Sequence, residues 1–315
     1  MPETIRVRIA VPAECDGWRL DHFLKHRITR LSRTKIQAIV EAQVAFADGR
    51  RARPSSAVRA GEVIVLSRPA PVEPDVPRRF DVLLDDPAVL AIDKPAGLPI
   101  HTTAKFYRNT LTALLRERYP GQALDVAHRI DRETSGVLLV ARGRLAASRL
   151  KRAFARRSVA KTYLAIIRGV PDAEDGVIDQ PLELLNTPTR IMMGAARTAG
   201  GLPAVTRFRV LGRFREHALI EALPETGRQH QIRAHLAGIG HPIAGDKLYG
   251  AGERLFMDYC DRGMSPALLA AFDGLTRHAL HAHRVTFPHP TTREPTTVES
   301  PLPADLRAYL ATLAP

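Results

Sequence analysis

The stretch from His128 to Ala141 constrains the fold more than any other part of the chain. Its second half, Val137–Ala141, is an uninterrupted run of aliphatic residues that follows Ser135-Gly136. Such a run, opened by a tight turn and rich in β-branched residues, is typical of a strand that is buried on both faces. The sequence therefore predicts a central strand that is covered on both sides.

The first half of the same stretch places one carboxylate among positive charges. Asp131 follows Arg129 by two residues and directly precedes Arg132. Nearby opposite charge favours the ionised form of a carboxylate, and loops that meet a rigid strand often carry catalytic groups. The residues alone leave two interpretations open, a catalytic carboxylate and a structural ion pair that anchors the loop.

The charge of the chain indicates a polyanionic partner. Its 315 residues carry a net charge of +13, a balance that suits nucleic acid. An anionic membrane surface would match the same charge, but the sequence has neither a segment apolar enough to span a bilayer nor a basic amphipathic terminus. The residues after Met1 lack a charged region followed by an apolar core, so we expect no signal peptide, no membrane association and a cytoplasmic location.

The sequence predicts two domains joined by a linker. Residues 1–68 read as a small basic module, residues 69–80 are rich in proline and indicate an extended linker, and residues 81–315 are long enough to hold the main core. Residues 1–70 contain thirteen Lys and Arg but only seven Asp and Glu. A large share of the excess positive charge therefore lies in the N-terminal module.

The N-terminal module follows a helix, helix and hairpin pattern. Apolar residues at helical spacing after Arg19 predict one short helix, and Ser32 is placed as the N-cap of a second helix. Asp48-Gly49 predicts a hairpin turn before a closing strand. This order resembles the S4-type RNA-binding domain, which implies that Arg19, Arg33 and Lys35 contact structured RNA. The alternative is a solvated basic face on a small α+β domain.

A second informative stretch runs from Leu219 to Lys247. A predicted strand leads to Thr226, and Gln229 three residues later completes a capping-box pattern, so we expect a helix to begin there. Arg233 would share one face of that helix with Gln229. From such a position its guanidinium could meet Asp131.

Three chemical interpretations of the chain compete. Clustered histidines suggest a metal-dependent nuclease, but arginines interleave with them and no Asp-x-Asp or His-Glu-x-x-His pattern accompanies them. The histidines concerned are His230, His235, His278, His281 and His283.

Cys15 and Cys260 are far apart and form no CxxC pattern, which excludes a disulfide scaffold and a cysteine zinc site.

The other two interpretations are a non-catalytic RNA-binding protein and an RNA-modifying enzyme. The sequence has no glycine-rich loop for a nucleotide or dinucleotide, so an enzyme of this kind would work without a cofactor. A hydrolytic glycosidase normally needs two carboxylates. A single ionised carboxylate with arginines and an aromatic ring instead fits attack at, or stabilisation of, an electron-poor sugar carbon.

The residues around Asp131 closely resemble the signature of the RluA-type RNA pseudouridine synthases. The similar segments follow the family's order from Asp81 onward and comprise residues 128–141, 161–165, 227–236, 240–246, 278–282 and 287–290. The resemblance implies an α+β catalytic domain with a large mixed, mostly antiparallel sheet flanked by helices, preceded by the small α+β S4-like domain. It also implies an isomerase that converts uridine to pseudouridine in structured RNA, with no metal and no cofactor.

The same resemblance implies roles for individual residues. Asp131 would act on the ribose side of the target uridine and cleave the C1′–N1 bond, and Arg233 would hold Asp131 ionised. Tyr163 would stack on the flipped base and help to remove the C5 proton, although its position on a predicted strand also suits a core tyrosine. Flipping is required because the glycosidic bond of a stacked, paired base is out of reach.

Further arginines are predicted to bind RNA. Arg129 would take the place left by the flipped nucleotide or bind its phosphate, and Arg132 and Arg228 are additional candidates for RNA contact. Because an accessory S4-like domain suits a large folded target, we expect large-subunit ribosomal RNA as the substrate, with transfer RNA as the second choice. We also expect the protein to be a monomer.

Overall fold

The protein is described by a computed structural model that covers residues 4–28, 31–69, 73–103, 105–197 and 199–314. The chain divides into two compact units, Met1–Val72 and Glu73–Pro315. The predicted linker, residues 69–80, lies partly outside the described residues, because residues 70–72 are not among them.

The first unit combines a three-stranded antiparallel sheet with two helices. In chain order its elements are β1 (Thr4–Ala10), a 3-10 turn (Ala13–Cys15), α1 (Leu20–Arg27), α2 (Arg33–Gln43), β2 (Val44–Phe46) and β3 (Val63–Pro69). The strand order is β1-β3-β2. The Ser32 hydroxyl accepts a hydrogen bond from the Lys35 N–H and caps α2, as the sequence predicts. The core is formed by side chains of both helices and of β3, among them Phe23, Ile36 and Ile64.

The second unit begins with β4 and contains twelve strands and six helices in the described residues. Its strands are β4 (Asp81–Asp85), β5 (Val89–Lys94), β6 (Leu124–Val126), β7 (Ser135–Arg142), β8 (Ala160–Arg168), β9 (Asp175–Asp179), β10 (Leu182–Leu184), β11 (Met193–Ala195), β12 (Val205–Arg213), β13 (His217–Pro224), β14 (Leu280–Pro288) and β15 (Pro295–Glu299). Its helices are α3 (Leu111–Arg118), α4 (Gly143–Ala155), α5 (Gln231–Gly238), α6 (Glu253–Arg262), α7 (Pro266–Ala271) and α8 (Ala304–Thr312).

Ten of these strands form one mixed sheet. Its main path runs β4-β5-β7-β14-β8-β13-β12-β9, with β15 paired to β14 and β6 paired to β7. Within the described residues, β7 and β14 are the single parallel pair, and every other pairing in the sheet is antiparallel. The predicted α+β fold with a large, mostly antiparallel mixed sheet is confirmed.

The strand β7 lies at the centre of the core, as the aliphatic run predicts. All residues of Val137–Ala141 are fully buried. Val137 and Leu139 pack with α4 on one face of the sheet, whereas Leu138 and Val140 pack with α3 on the other. The alternation follows from the period of two along a strand. Helices therefore cover both faces of the strand that follows Asp131.

The helix α4 departs from the sequence prediction in its boundaries and its inward face. The spacing of Leu145, Leu150 and Phe154 in the sequence predicts a helix over residues 145–157 with these side chains facing inward. The helix instead runs from Gly143 to Ala155, and Leu145 is 63% exposed. The inward face is formed by small residues, Ala146, Ala147 and Ala153, with Leu150. A pattern search that weights large apolar residues overlooks such a face, because alanine contributes little to it.

Gly136 allows β7 and β14 to approach closely. Its φ of +110° is a conformation that favours glycine, and a Cβ built on it would lie 2.2 Å from the Ala282 carbonyl oxygen. The parallel register pairs Ala282 with Gly136 and His281 with Ser135. This glycine therefore fixes the point at which the Asp131 loop enters the sheet.

A search of the described helices finds none with the length and apolar character needed to cross a membrane.

Candidate active site

A cavity of about 590 Å³ opens beside the loop that precedes β7. Its lining includes five residues that the sequence singles out, and the structure brings these together: Asp131, Tyr163, Arg233, Arg129 and Arg228. They come from the loop before β7, from β8, and from the segment that leads into α5. The cavity therefore joins the two informative stretches of the sequence, which lie about a hundred residues apart.

Backbone hydrogen bonds hold the loop that carries Asp131. The Asp131 carbonyl accepts from the Thr134 N–H at 3.2 Å, and the Arg132 carbonyl accepts from the Gly97 N–H at 2.8 Å. The ammonium of Lys94, which is fully buried, donates to the same Arg132 carbonyl at 3.0 Å. Burial lowers the pKa of Lys94 to about 7. The segment around Lys94 therefore supports the loop that carries Asp131.

Arg233 connects Asp131 to a second carboxylate. Its Nη1 donates to Asp131 Oδ2 at 2.8 Å, while its Nε and Nη2 donate to the two oxygens of Asp246 at 2.6 and 2.9 Å. The Asp246 side chain is fully buried, whereas that of Asp131 is 26% exposed. The guanidinium is thus oriented by Asp246 and offers one remaining edge to Asp131.

The charge of Arg233 keeps Asp131 ionised. Burial by itself would raise the pKa of the Asp131 carboxyl, and the positive charge of Arg233 is the largest of the effects that together lower that pKa below its ordinary value. Within the described residues, no hydrogen bond to Asp131 Oδ1 is found. An ionised carboxylate therefore faces the cavity with one oxygen available to a substrate.

The helix that carries Arg233 starts later than the capping-box pattern predicts. It begins at Gln231, and the preceding residue, His230, has a φ of +53° that separates the helix from Thr226. The Thr226 hydroxyl donates to the Gln231 side-chain oxygen at 2.6 Å rather than capping a helix at its own position. Gln229 lies outside the helix, so the prediction that it shares a helical face with Arg233 was wrong.

Tyr163 lies on β8 and contributes an uncharged ring to the cavity. Burial, together with the negative charge of Asp131, raises the pKa of the Tyr163 hydroxyl above its ordinary value. The ring also packs against two apolar clusters, one that includes Ala165 and one that includes Ala282. A phenol that stays protonated at neutral pH suits stacking on a base, whereas proton removal by its phenolate is disfavoured.

Basic residues surround the mouth of the cavity, including two that the sequence did not mark as site residues. Arg157 and Lys161 line it together with Arg129 and Arg228. Burial lowers the pKa of Lys161 to about 8, and its ammonium donates to the Thr226 carbonyl at 3.0 Å. Lys161 opens the segment 161–165, which resembles the family, and Arg157 stands in a basic stretch of the chain, but neither residue lies in the stretches that carry Asp131 or Arg233.

The remaining predicted RNA-binding residues lie elsewhere. The Arg132 side chain is not part of the cavity lining; its Nη2 donates to Glu133 at 3.3 Å. In the first unit, Arg19 and Arg33 both donate to the buried carboxylate of Asp21. Lys35 is exposed on α2. The two arginines are thus held in place by one carboxylate.

The histidines are hydrogen-bonded rather than grouped as metal ligands. His278 contacts the Thr134 hydroxyl at 2.8 Å, His281 the Ser135 hydroxyl at 2.9 Å and His235 the Thr206 hydroxyl at 2.9 Å. Among the described residues, no group of three or more potential metal ligands is found. The hypothesis of a metal-dependent nuclease therefore gains no support.

Comparison with known proteins identifies the family. Residues 88–238, which include Asp131 and Tyr163, match the family described as RNA pseudouridylate synthase. The chain is 36% identical over 312 residues to the ribosomal large subunit pseudouridine synthase D of Xanthomonas campestris pv. campestris, and the match covers 96% of this chain and 91% of that protein. The chain belongs to the RNA pseudouridine synthase family. The predicted RluA-type pseudouridine synthase is thereby confirmed, and the protein is an isomerase that acts on RNA.

Other relatives extend this picture. The ribosomal large subunit pseudouridine synthase C of Vibrio cholerae is 31% identical over 317 residues, covering 96% of this chain and 95% of that protein. Among solved structures, Human RNA Pseudouridylate Synthase Domain Containing 1 is similar with a TM-score of 0.60 and 26% identity, covering 78% of this chain and 91% of that one. The pseudouridine synthase therefore shares both sequence and fold with its relatives.

Proposed function

We propose that Asp131 is the catalytic residue of this pseudouridine synthase. The observation that carries the proposal is its ionised carboxylate, which has one oxygen bound to Arg233 and the other facing the cavity. Asp131 acts on the ribose side of the glycosidic bond. In the reaction the C1′–N1 bond breaks, a C1′–C5 bond forms, and a hydrogen leaves C5 while N1 gains one, so that the product is an isomer of uridine.

The cavity supports this chemistry better than hydrolysis. Glu225 is the other carboxylate in its lining, and its side chain is 42% exposed and accepts from Arg207 Nε at 2.7 Å. A hydrolytic glycosidase requires a second carboxylic acid that is protonated near the leaving group. An exposed carboxylate that is bound to an arginine does not provide that acid. Rejoining the base to the sugar needs no such group.

Tyr163, Arg129 and Arg228 bind the flipped nucleotide in this proposal. The uncharged ring of Tyr163 stacks on the uracil, and the two arginines bind the phosphates beside it, together with Arg157 and Lys161. Aromatic stacking and arginine contacts are the usual means of holding an everted base. The position of all five residues on one cavity supports this assignment.

We further propose large-subunit ribosomal RNA as the substrate, with transfer RNA as the alternative. The proposal rests on the relatives named ribosomal large subunit pseudouridine synthase, whose sequences match over nearly their whole length. We also propose that the enzyme is cytoplasmic and monomeric. Pseudouridines should be mapped in total RNA from cells with the gene, without it, and with an Asp131→Asn copy. Loss of one or more large-subunit positions in the last two supports the proposal, and loss confined to transfer RNA contradicts it.

The first unit is proposed to bind the same RNA as an S4-like module. Arg33 and Lys35 lie in the first turn of α2, and Arg33 is fixed by the buried Asp21 carboxylate. We expect Arg33→Ala with Lys35→Ala to weaken RNA binding and to flatten its dependence on salt. A matched control removes two exposed charges from β1 of the same unit, Arg6→Ala with Arg8→Ala. Equal affinities for both double variants contradict the proposed module.

A further inference from the structure

His230 lines the cavity in an unusual backbone conformation. Its φ of +53° is uncommon for a residue other than glycine, although histidine tolerates this region better than most side chains. The residue directly precedes α5, which carries Arg233, and its imidazole lines the same cavity as Asp131. Strained positions of this kind concentrate at functional sites. The ring is therefore placed where it can meet a bound nucleotide.

A hydrogen-bond chain fixes which nitrogen of His230 carries the proton. The Met193 N–H donates to the Tyr249 hydroxyl oxygen at 2.9 Å, and that hydroxyl lies 3.1 Å from His230 Nδ1. In the described residues, His230 Nδ1 is the one acceptor found for the Tyr249 O–H. The arrangement in which every group is satisfied has Tyr249 donating to Nδ1, which places the imidazole hydrogen on Nε2.

The other ring nitrogen is available to a substrate. No hydrogen bond from the described part of the protein reaches His230 Nε2. Among the described residues, Arg142 Nε is the one side-chain nitrogen or oxygen that is both buried and without a hydrogen-bond partner, so His230 Nε2 is not buried. His230 Nε2 is therefore accessible, and the ring lines the cavity. Burial lowers the pKa of His230, so that the ring is neutral at pH 7 and its Nε2–H is a donor without a net charge.

We propose that His230 donates its Nε2–H to a carbonyl oxygen of the flipped uracil and that Tyr249 is the positioning residue that selects this tautomer. The inference rests on the active site proposed above. When the C1′–N1 bond breaks, its electron pair passes to the base and spreads onto the uracil carbonyl oxygens. A fixed N–H donor stabilises that charge as it develops, so the contact strengthens in the transition state.

The tautomer is tested by NMR on the free enzyme labelled with ¹⁵N-histidine. We expect the His230 signals to show a protonated Nε2 and an unprotonated Nδ1, and we expect Tyr249→Phe to abolish this preference. A protonated Nδ1 in the unaltered enzyme overturns the inference. So does an unchanged tautomer in Tyr249→Phe. Neither result depends on catalytic activity, so this measurement is independent of the assignment of Asp131.

The substrate contact is tested by turnover of uridine-labelled RNA. We expect His230→Ala to lower kcat by about 10- to 100-fold with little change in KM, because one donor to a developing charge is lost. His230→Gln, which retains an N–H donor near the Nε2 position, should recover most of that loss. If His230→Ala proves unfolded in a thermal scan, Tyr249→Phe provides the same comparison and should lower kcat while the ring remains.

The outcomes separate this inference from the proposed active site. Full activity of Asp131→Asn contradicts the active site itself. An inactive Asp131→Asn together with a kcat of His230→Ala or Tyr249→Phe equal to that of the unaltered enzyme overturns the role of His230 alone. Equal losses in His230→Ala and His230→Gln also overturn it, because a donor at that position would then be irrelevant.

Discussion

The bridge formed by Arg233 yields a prediction with a definite size. Lysine in its place keeps the positive charge, but a single ammonium cannot reproduce the three N–H donors that Arg233 directs to Asp246 and Asp131 at 2.6 to 2.9 Å. Asp246 is fully buried, so the ammonium should remain with it and Asp131 should lose its donor. A hydrogen bond to a charged group contributes about 1.5–3 kcal/mol, which corresponds to about a 10- to 150-fold loss in kcat.

The same variant should change the pH dependence of the reaction. Burial tends to raise the pKa of Asp131, and the charge of Arg233 is the largest effect that opposes this in the unaltered enzyme. With this support weakened, the folded-state pKa rises and a larger fraction of Asp131 is protonated at a given acidic pH. The activity of Arg233→Lys should therefore fall at higher pH, on the acidic side of the profile, than the activity of the unaltered enzyme.

The assay is steady-state release of tritium from RNA labelled at uridine C5, measured between pH 5 and pH 9. Arg168→Lys is the matched control, since Arg168 pairs with Asp273 through a similar guanidinium contact and does not line the cavity. We expect both variants to lose stability but the control to keep its kcat and its pH profile. Equal kcat values and superimposed profiles for the two variants refute the reasoning.

Three further predictions concern stability and RNA binding. Gly136→Ala should lower the free energy of unfolding by at least about 2 kcal/mol in urea titrations, because the added Cβ meets the Ala282 carbonyl. Gly238→Ala, at a position with open space around its Cβ, is the control and should leave the free energy of unfolding unchanged. Comparable stabilities of the two variants would contradict the close approach of β7 and β14. Burial lowers the pKa of His278 and His281 to about 4, so the unfolded chain binds more protons than the folded one between about pH 4 and pH 6.5. The free energy of unfolding should therefore fall as the pH falls through that window, and His281→Gln should reduce the slope of this free energy against pH by about one proton. An unchanged slope would contradict a neutral, buried His281. Arg152→Ala with Arg156→Ala changes two exposed residues at the C-terminal end of α4 that have no ion pairs in the described structure. It should reduce the salt dependence of RNA binding by about 0.9 in slope per lost phosphate contact. Arg209→Ala with Arg284→Ala, whose side chains are paired with glutamates, is the control, and equal slopes for both pairs would contradict RNA contact at this end of α4.

Local sequence signals predicted the elements that depend on neighbouring residues. The buried strand β7 and the Ser32 cap of α2 follow from periodicity and capping, which act over a few residues. The edge strand β1 was missed although apolar and charged residues alternate along Thr4–Ala10. Every residue of that strand pairs with β3, some sixty residues away, and a short alternating segment does not specify such a partner.

The site was only partly predictable for a similar reason. Asp131 and Arg233 could be named from their segments, but Asp246, which orients Arg233, carries no local mark of that role. The helix α5 starts late because His230 adopts a left-handed backbone conformation. In that conformation the His230 side chain is hydrogen-bonded to the Tyr249 hydroxyl. Contacts of this kind join residues that are distant in sequence. They become visible when the folded chain places them on one cavity.

The proposed role of Asp131 is tested most directly by exchanging its carboxylate for an amide of the same shape. Asp131→Asn should abolish release of tritium from RNA labelled at uridine C5 while RNA affinity stays within a few-fold of the unaltered enzyme. Asp273→Asn, which alters a carboxylate paired with Arg168 and outside the cavity lining, should still release tritium. Sustained release by Asp131→Asn, at a rate like that of Asp273→Asn, would contradict a catalytic role for this carboxylate.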